Sequence, residues 1–198
     1  MEMKLFFLYT LTKDFYDKYQ AKYSLSDNKG GRPVCCIIKD DTYENLYYVI
    51  PMHSVLEGEE DNDGSLNTIK RFEQAHKRCD LVHAAKLIDG ITSVFKIGFL
   101  HPVISKYVQG EYLQNNVAFE IKNTNLQNDL SEKAKRILEL RKSALIKIKK
   151  NNIKFESMGF AQQTAYLMDE LQNELMQELN EASTANEASD SSETNETK

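Results

Sequence analysis

Apolar residues recur along this chain with two different periods. Through the amino half they gather into short runs, at residues 3–10, 34–38, 46–50 and 91–100, with polar stretches between them. Runs of this length, rich in β-branched and aromatic side chains, predict strands, and the polar link 39–45 predicts a hairpin turn between the second and third. One helix interrupts them: Thr12 or Asp14 stands where it can cap a helix reaching about Tyr23, with Phe15 and Tyr19 one turn apart. Residues 24–31 read as a polar loop ending in glycine, residues 57–64 as an exposed acidic loop, and residues 67–69 as a short strand. Residues 72–89 carry no single pattern. From Leu130 to about Asn151 the period becomes helical, with Ala134, Ile137, Leu138, Leu140, Leu145 and Ile148 approximating one stripe. A second helix, from Phe160 to about Leu179, carries Leu167, Leu171 and Leu175. This order predicts an α+β fold, a small twisted antiparallel sheet flanked by helices.

Past Asn180 the residues are Ser, Thr, Asn, Ala and acids, with no aliphatic side chain larger than alanine until the end. Such a segment buries too little apolar surface to offset its ordering entropy, so residues 181–198 are predicted to be a disordered acidic tail beside a single domain of residues 1–180. The tail changes the meaning of the net charge of −5: it holds five acids and one base, leaving 25 acids against 24 bases in the domain. A near-neutral body is compatible with a nucleic-acid partner when its bases cluster, and here they do. Between Ser131 and Lys154 nine bases accompany only Glu132 and Glu139. No apolar run is long enough for a bilayer, and the short amino-terminal one does not suit a signal sequence, so the expected location is the cytoplasm, without a membrane partner. Adjacent Cys35 and Cys36 point to opposite faces of a strand and read as packing residues.

The densest candidate chemistry lies between Gly30 and Ser54. Arg32 precedes one apolar run, and His53 and Ser54 follow Pro51 after the next. Loop or strand-end positions would gather all three beside one sheet. Histidine titrates near neutral pH, a serine hydroxyl can donate to a phosphate oxygen, and a guanidinium is a permanently charged fork. These serve RNA cleavage without metal or cofactor, because the ribose brings its own nucleophile. A Ser–His hydrolase is disfavoured: no Gly-x-Ser-x-Gly elbow surrounds Ser54, and neighbours on extended backbone point apart. For the same reason His53 and Ser54 reach one phosphate only if the strand ends or bulges there, and Pro51 favours such an irregularity. Bland roles compete: a structural histidine, a capping serine, a surface ion pair for Arg32. His76, Cys79 and His83 would share a face on a helix, but read as packing or surface rather than a metal site. His101, before Pro102, is a further titrating group. Candidate RNA-binding cations are Lys29, Lys70, Arg71 and Lys86, with Lys133, Arg136, Arg141 and Lys142 on the basic helix. Tyr23, Tyr43, Tyr47 and Tyr48 can stack on unpaired bases or pack in the core.

The ordered combination of Gly31-Arg32-Pro33, a strand, a polar turn, a second strand and Pro51-Met52-His53-Ser54 resembles the ToxN/AbiQ family of endoribonucleases, the protein halves of type III toxin–antitoxin systems. It is most similar to the CptN-like branch. The opening Met3-Lys4-Leu5-Phe6-Phe7-Leu8 and the helix after Thr12 extend the likeness over much of the first two thirds of the chain. Arg32 stands where the family has lysine, His53 where it has threonine, and Leu56 where a lysine is often found; Lys70 or Arg71 can replace that last cation. The resemblance implies an SH3-like, Kid/MazF-type barrel, and a metal-independent, sequence-selective endoribonuclease leaving 2′,3′-cyclic phosphate and 5′-hydroxyl ends. It gives catalytic roles to His53, Ser54 and Arg32. It also implies a repeated, pseudoknotted antitoxin RNA that inhibits the enzyme and is processed by it in a closed protein–RNA assembly, with cellular or phage RNA as target in phage defence. Two other readings compete: a non-catalytic RNA-binding module, and an interaction scaffold whose helix at residues 160–179 pairs with a partner.

Overall fold

The computed structural model describes residues 2–25, 31–59, 61 and 64–193, the last eleven of these by backbone alone. Its strands are β1 (Leu8–Leu11), β2 (Val34–Lys39), β3 (Leu46–Leu56), β4 (His83–Ile88), β5 (Ile91–Phe95), β6 (His101–Ile104), β7 (Val108–Glu111) and the small hairpin β8 (Leu113–Gln114) and β9 (Val117–Ala118). Its helices are α1 (Lys13–Tyr23), α2 (Ser65–Gln74), α3 (Thr124–Asn151) and α4 (Phe160–Glu193). The fold is α+β. Seven strands form one sheet in the order β4-β5-β3-β2-β1-β7, with β6 pairing β3 off that path. Every pairing is antiparallel. The path is open, with β4 and β7 at its ends, and the described strands do not close into a barrel.

β3 organises the sheet. Its first half pairs β6 and its second half β5 along one edge, while β2 runs along the other. Pro51 sits at the change of neighbour: its carbonyl accepts from Lys96 N–H at 2.9 Å, and its donorless nitrogen faces the same gap between β5 and β6. The proline therefore interrupts no ladder, and β3 runs straight on to Leu56. Residues 52–56 thus lie within a strand rather than beyond its end, which corrects the expectation for His53 and Ser54.

Alternation along β2 and β3 divides the core. Cys36, Tyr47 and Val49 meet Phe15 and Tyr19 of α1 and Leu171 and Leu175 of α4. Cys35, Ile37, Ile50 and Met52 face the other way, onto Leu126, Leu130, Ala134 and Ile137 of α3. The two cysteines are free and buried on opposite faces, as packing residues should be. Val55, Val94, Cys79 and Val82 form a smaller cluster under Leu66, Ile69 and Phe72 of α2.

Caps set the helix starts. The Thr12 hydroxyl accepts from Phe15 N–H, and the Asn123 side chain accepts from Leu126 N–H at 3.1 Å. The latter starts α3 ahead of Leu130. Several boundaries differ from the sequence pattern. The first strand begins only at Leu8, after Phe6 adopts φ of 64°. Residues 67–69 belong to α2 rather than to a strand. Leu140 is 59% exposed and leaves the stripe to Lys133 and Arg141. α4 runs from Phe160 to Glu193, and residues 194–198 lie outside the described ones. Among the described residues no helix is long and apolar enough to cross a membrane.

Candidate functional site

His53 lies on the α2 side of the sheet. Its cross-strand neighbours are Val94 of β5 and, beyond it, Ala84 of β4. Its Nε2 is 3.1 Å from Asp61 Oδ1, and both side chains are nearly closed to solvent, at 7% and 5% exposure. The other oxygen of Asp61 accepts from Leu66 N–H at 2.6 Å. Gly64 offers no side chain to cap α2, and the Asp61 carboxylate takes the Leu66 N–H of its first turn instead, where the helix dipole favours negative charge. One carboxylate thus orients the imidazole and fastens α2. The acidic loop, which the sequence presents as a solvated excursion, supplies that partner.

Arg32 is half-buried just before β2. The register pairs Val34 with Pro51, and Met52 N–H reaches Pro33 O at 3.1 Å. β2 and its ladder to β3 begin at Val34, so Arg32 precedes them in the connection that leads into the strand. Ser54 is exposed on the other face, with Ser93 beside it on β5 and Ala85 beyond on β4. The structure therefore sets His53 and Ser54 on opposite faces of the sheet, with Arg32 ahead of the neighbouring strand.

The Ser54 face carries a second histidine. His83 stands in the row of Phe95 and Met52, one pleat from the Ser54 row. Its Nδ1 is 2.9 Å from Asp129 Oδ2 and 3.0 Å from Lys133 Nζ, and those two α3 groups are 3.4 Å apart. Burial lowers the His83 pKa below 6.5, and the Lys133 ammonium lowers it further, while Asp129 acts in the opposite direction. His83 and Asp129 line two adjoining clefts of about 570 and 460 Å³, one reaching Lys77, Arg78 and Lys133, the other Lys86 and Asn125. Sequence spacing hides this cluster, because β4 and α3 lie far apart along the chain.

The predicted cations separate. Lys133 and Arg141 are buried. Arg141 donates to Leu100 O at 2.5 Å and Gly98 O at 2.9 Å, tying the turn before β6 to α3, and burial lowers its pKa to about 10. Arg136 pairs with Asp80 at 3.2 Å and Lys86 with Glu57 at 3.3 Å. Lys70, Arg71 and Lys142 are exposed, with Arg71 bonded to Thr68. Lys29 lies outside the described residues. Tyr23 and Tyr47 are core residues, whereas Tyr43 and Tyr48 are half-buried. His101 is enclosed, stacked on Phe15 at 5.8 Å, with Nδ1 3.0 Å from Phe99 O and its pKa lowered by burial to about 4, so it faces no cleft. α2 ends at Gln74, so His76, Cys79 and His83 share no helix, and among the described residues no three His, Cys, Asp or Glu side chains are grouped to hold a metal ion.

No protein-family model matches this sequence, and no curated protein matches it.

Proposed function

We propose that this protein is a metal-independent endoribonuclease that uses the ribose 2′-hydroxyl of its substrate as nucleophile and leaves 2′,3′-cyclic phosphate and 5′-hydroxyl ends. The observation that carries the reading is a histidine–carboxylate pair on each face of the β3–β5–β4 sheet, His53 with Asp61 and His83 with Asp129, the second accompanied by Lys133. A carboxylate that fixes a neutral imidazole, beside a cation able to offset charge on a phosphorane, is the equipment this reaction needs. The likeness of Gly31-Arg32-Pro33 and Pro51-Met52-His53-Ser54 to the ToxN/AbiQ endoribonucleases supplies the setting. The protein would act in the cytoplasm on cellular or phage RNA, restrained by a repeated, pseudoknotted antitoxin RNA that it processes and that links protomers into a closed assembly. Kinship of the sheet to an SH3-like barrel belongs to the same proposal.

The test is induction of wild type and His53→Ala without antitoxin RNA, with cleavage followed in EDTA. Wild type is expected to arrest growth and cut RNA to cyclic-phosphate ends. A His53→Ala protein that binds RNA yet cuts about 100-fold more slowly would give the proton transfer to His53, and one that cuts at the wild-type rate would give it to another group. A wild type that is harmless and cuts nothing overturns the enzyme reading. The non-catalytic RNA-binding module would then stand, favoured by the exposed lysines of α3. The scaffold reading would have to use another face of α4, since Leu171 and Leu175 are fully buried in the protein's own core.

A further inference from the structure

The motif's serine and its histidine face opposite ways, and only one of those faces is open. On the α2 side, His53 is covered, and its Nε2 is engaged by a carboxylate that also fastens α2. On the α3 side, Ser54 is exposed, and the histidine sharing its face borders two clefts. We propose that His83, oriented by Asp129 and backed by Lys133, is the proton-transfer group of the ribonuclease reaction, acting on an RNA strand laid along the β4–α3 clefts on the Ser54 face. This inference rests on the ribonuclease reading above and names the group that performs it.

The cluster is built for such a role. Asp129 and Lys133 both meet Nδ1, and that nitrogen carries either a proton or a lone pair. With the proton on Nδ1 it donates to Asp129, and Nε2 becomes a base. With the lone pair on Nδ1 it accepts from Lys133, and Nε2 becomes a donor. A movement of one proton across the ring therefore exchanges acceptor for donor at the atom away from α3. In the cleavage step Nε2 takes the 2′-hydroxyl proton as the 2′ oxygen bonds to phosphorus. The bond from phosphorus to the 5′ oxygen breaks, the departing oxygen takes a proton from water, and His83 returns its own to the solvent. The Lys133 ammonium, held at Nδ1, acts through the ring by opposing its protonation, which keeps Nε2 available as a base. The neutral cluster needs further cations to hold a strand; Lys77 lines the same clefts, as do Arg78 and Lys86, whose partners Asp80 and Glu57 would have to share them with phosphate.

The pH profile distinguishes this role from packing. Asp129 and Lys133 from α3 contact His83, and the other charged groups lining its clefts are Glu73 from α2, Lys77 and Arg78 from the connection into β4, and Lys86 on β4 itself. Lys133→Gln should move the acid limb of the rate profile up in pH and Asp129→Asn should move it down, since the first removes a charge that opposes protonation and the second one that favours it.

The experiment has two parts on the full chain. In wild type, the His83 ring resonances are followed while an RNA oligonucleotide with 2′-deoxy substitution, which cannot be cut, is added. A saturating shift is expected, and an unmoved ring overturns the proposal whether or not the protein cuts RNA. In single-turnover cleavage of the unmodified oligonucleotide, His83→Gln of unchanged circular dichroism is expected to be slower by about 100-fold or more, with opposite pH shifts in the two α3 variants. Wild-type rates in His83→Gln overturn the proposal and leave the ribonuclease reading intact. A wild type that cuts nothing overturns both.

Discussion

Arg141 shows how far a residue's neighbours decide its job. In the sequence it is one of eight bases on a helix, and a phosphate contact is the natural expectation. In the fold it points inward and gives both arms of its fork to carbonyls of the turn that β6 follows. Replacing it with alanine would leave two enclosed carbonyls without donors, and should lower the unfolding free energy by about 3 kcal/mol in a urea melt while leaving RNA affinity of the folded protein unchanged. Lysine should restore only part, because one ammonium cannot bridge both acceptors as a planar fork does. Weaker RNA binding at undiminished stability would instead restore the solvent-facing role. The same limit on legibility applies to the histidines. His53 can be singled out from its motif, but its partner Asp61 lies in a loop that composition marks only as solvated. His83 becomes interesting only through Asp129 and Lys133, and Lys133 is 50 positions away.

At the scale of elements, α1 and α4 are joined by more than apolar packing. Glu178 of α4 receives Tyr107 Oη at 2.9 Å and is also bonded by Tyr19, Lys18 and Lys106, while Tyr23 and Lys22 meet Glu174 at 2.5 and 2.6 Å. Burial pushes the Glu178 pKa up, but the bonds from Lys106, Lys18, Tyr19 and Tyr107 outweigh it and bring the carboxyl from an ordinary 4.5 to about 2. Because the folded value is the lower one, the stabilisation is present above pH 4.5 and is lost as pH falls from there towards 2. Glu178→Gln should therefore reduce stability at pH 7 by about 2 kcal/mol, after allowing for solvent screening, and flatten the fall between pH 4.5 and 2. Thermal melts across that range decide it; parallel wild-type and variant curves would sink the assignment. The elements themselves were unequally legible. α1 has a capping threonine and a clear aromatic stripe. α2 has a glycine where a cap is expected and only ten residues, so it carries little pattern of its own. The length of β3 was masked by Pro51, which normally ends a ladder but here stands where the strand changes neighbour.

For the whole molecule, the balance of charge matters less than where each charge is committed. With Lys133 and Arg141 turned inward and Arg136 paired with Asp80, the exposed cations of α3 are led by Lys135, Lys142, Lys147 and Lys150. They lie on a helix whose opposite side packs over the β3–β5–β4 region, so an RNA strand leaving the His83 clefts along α3 would meet them. Each lysine that releases a counterion from single-stranded RNA contributes about 0.7 to the slope of log affinity against log salt. Replacing all four with glutamine should lower that slope by up to about 3, weaken binding similarly for unrelated sequences, and leave the melting temperature nearly unchanged, because these side chains are solvated. The measurement is fluorescence anisotropy of an uncleavable oligonucleotide between low and moderate salt. A slope that stays at the wild-type value would mean that RNA does not follow α3, and the path would have to be sought around Lys70 and Arg71 of α2, on the opposite side of the sheet.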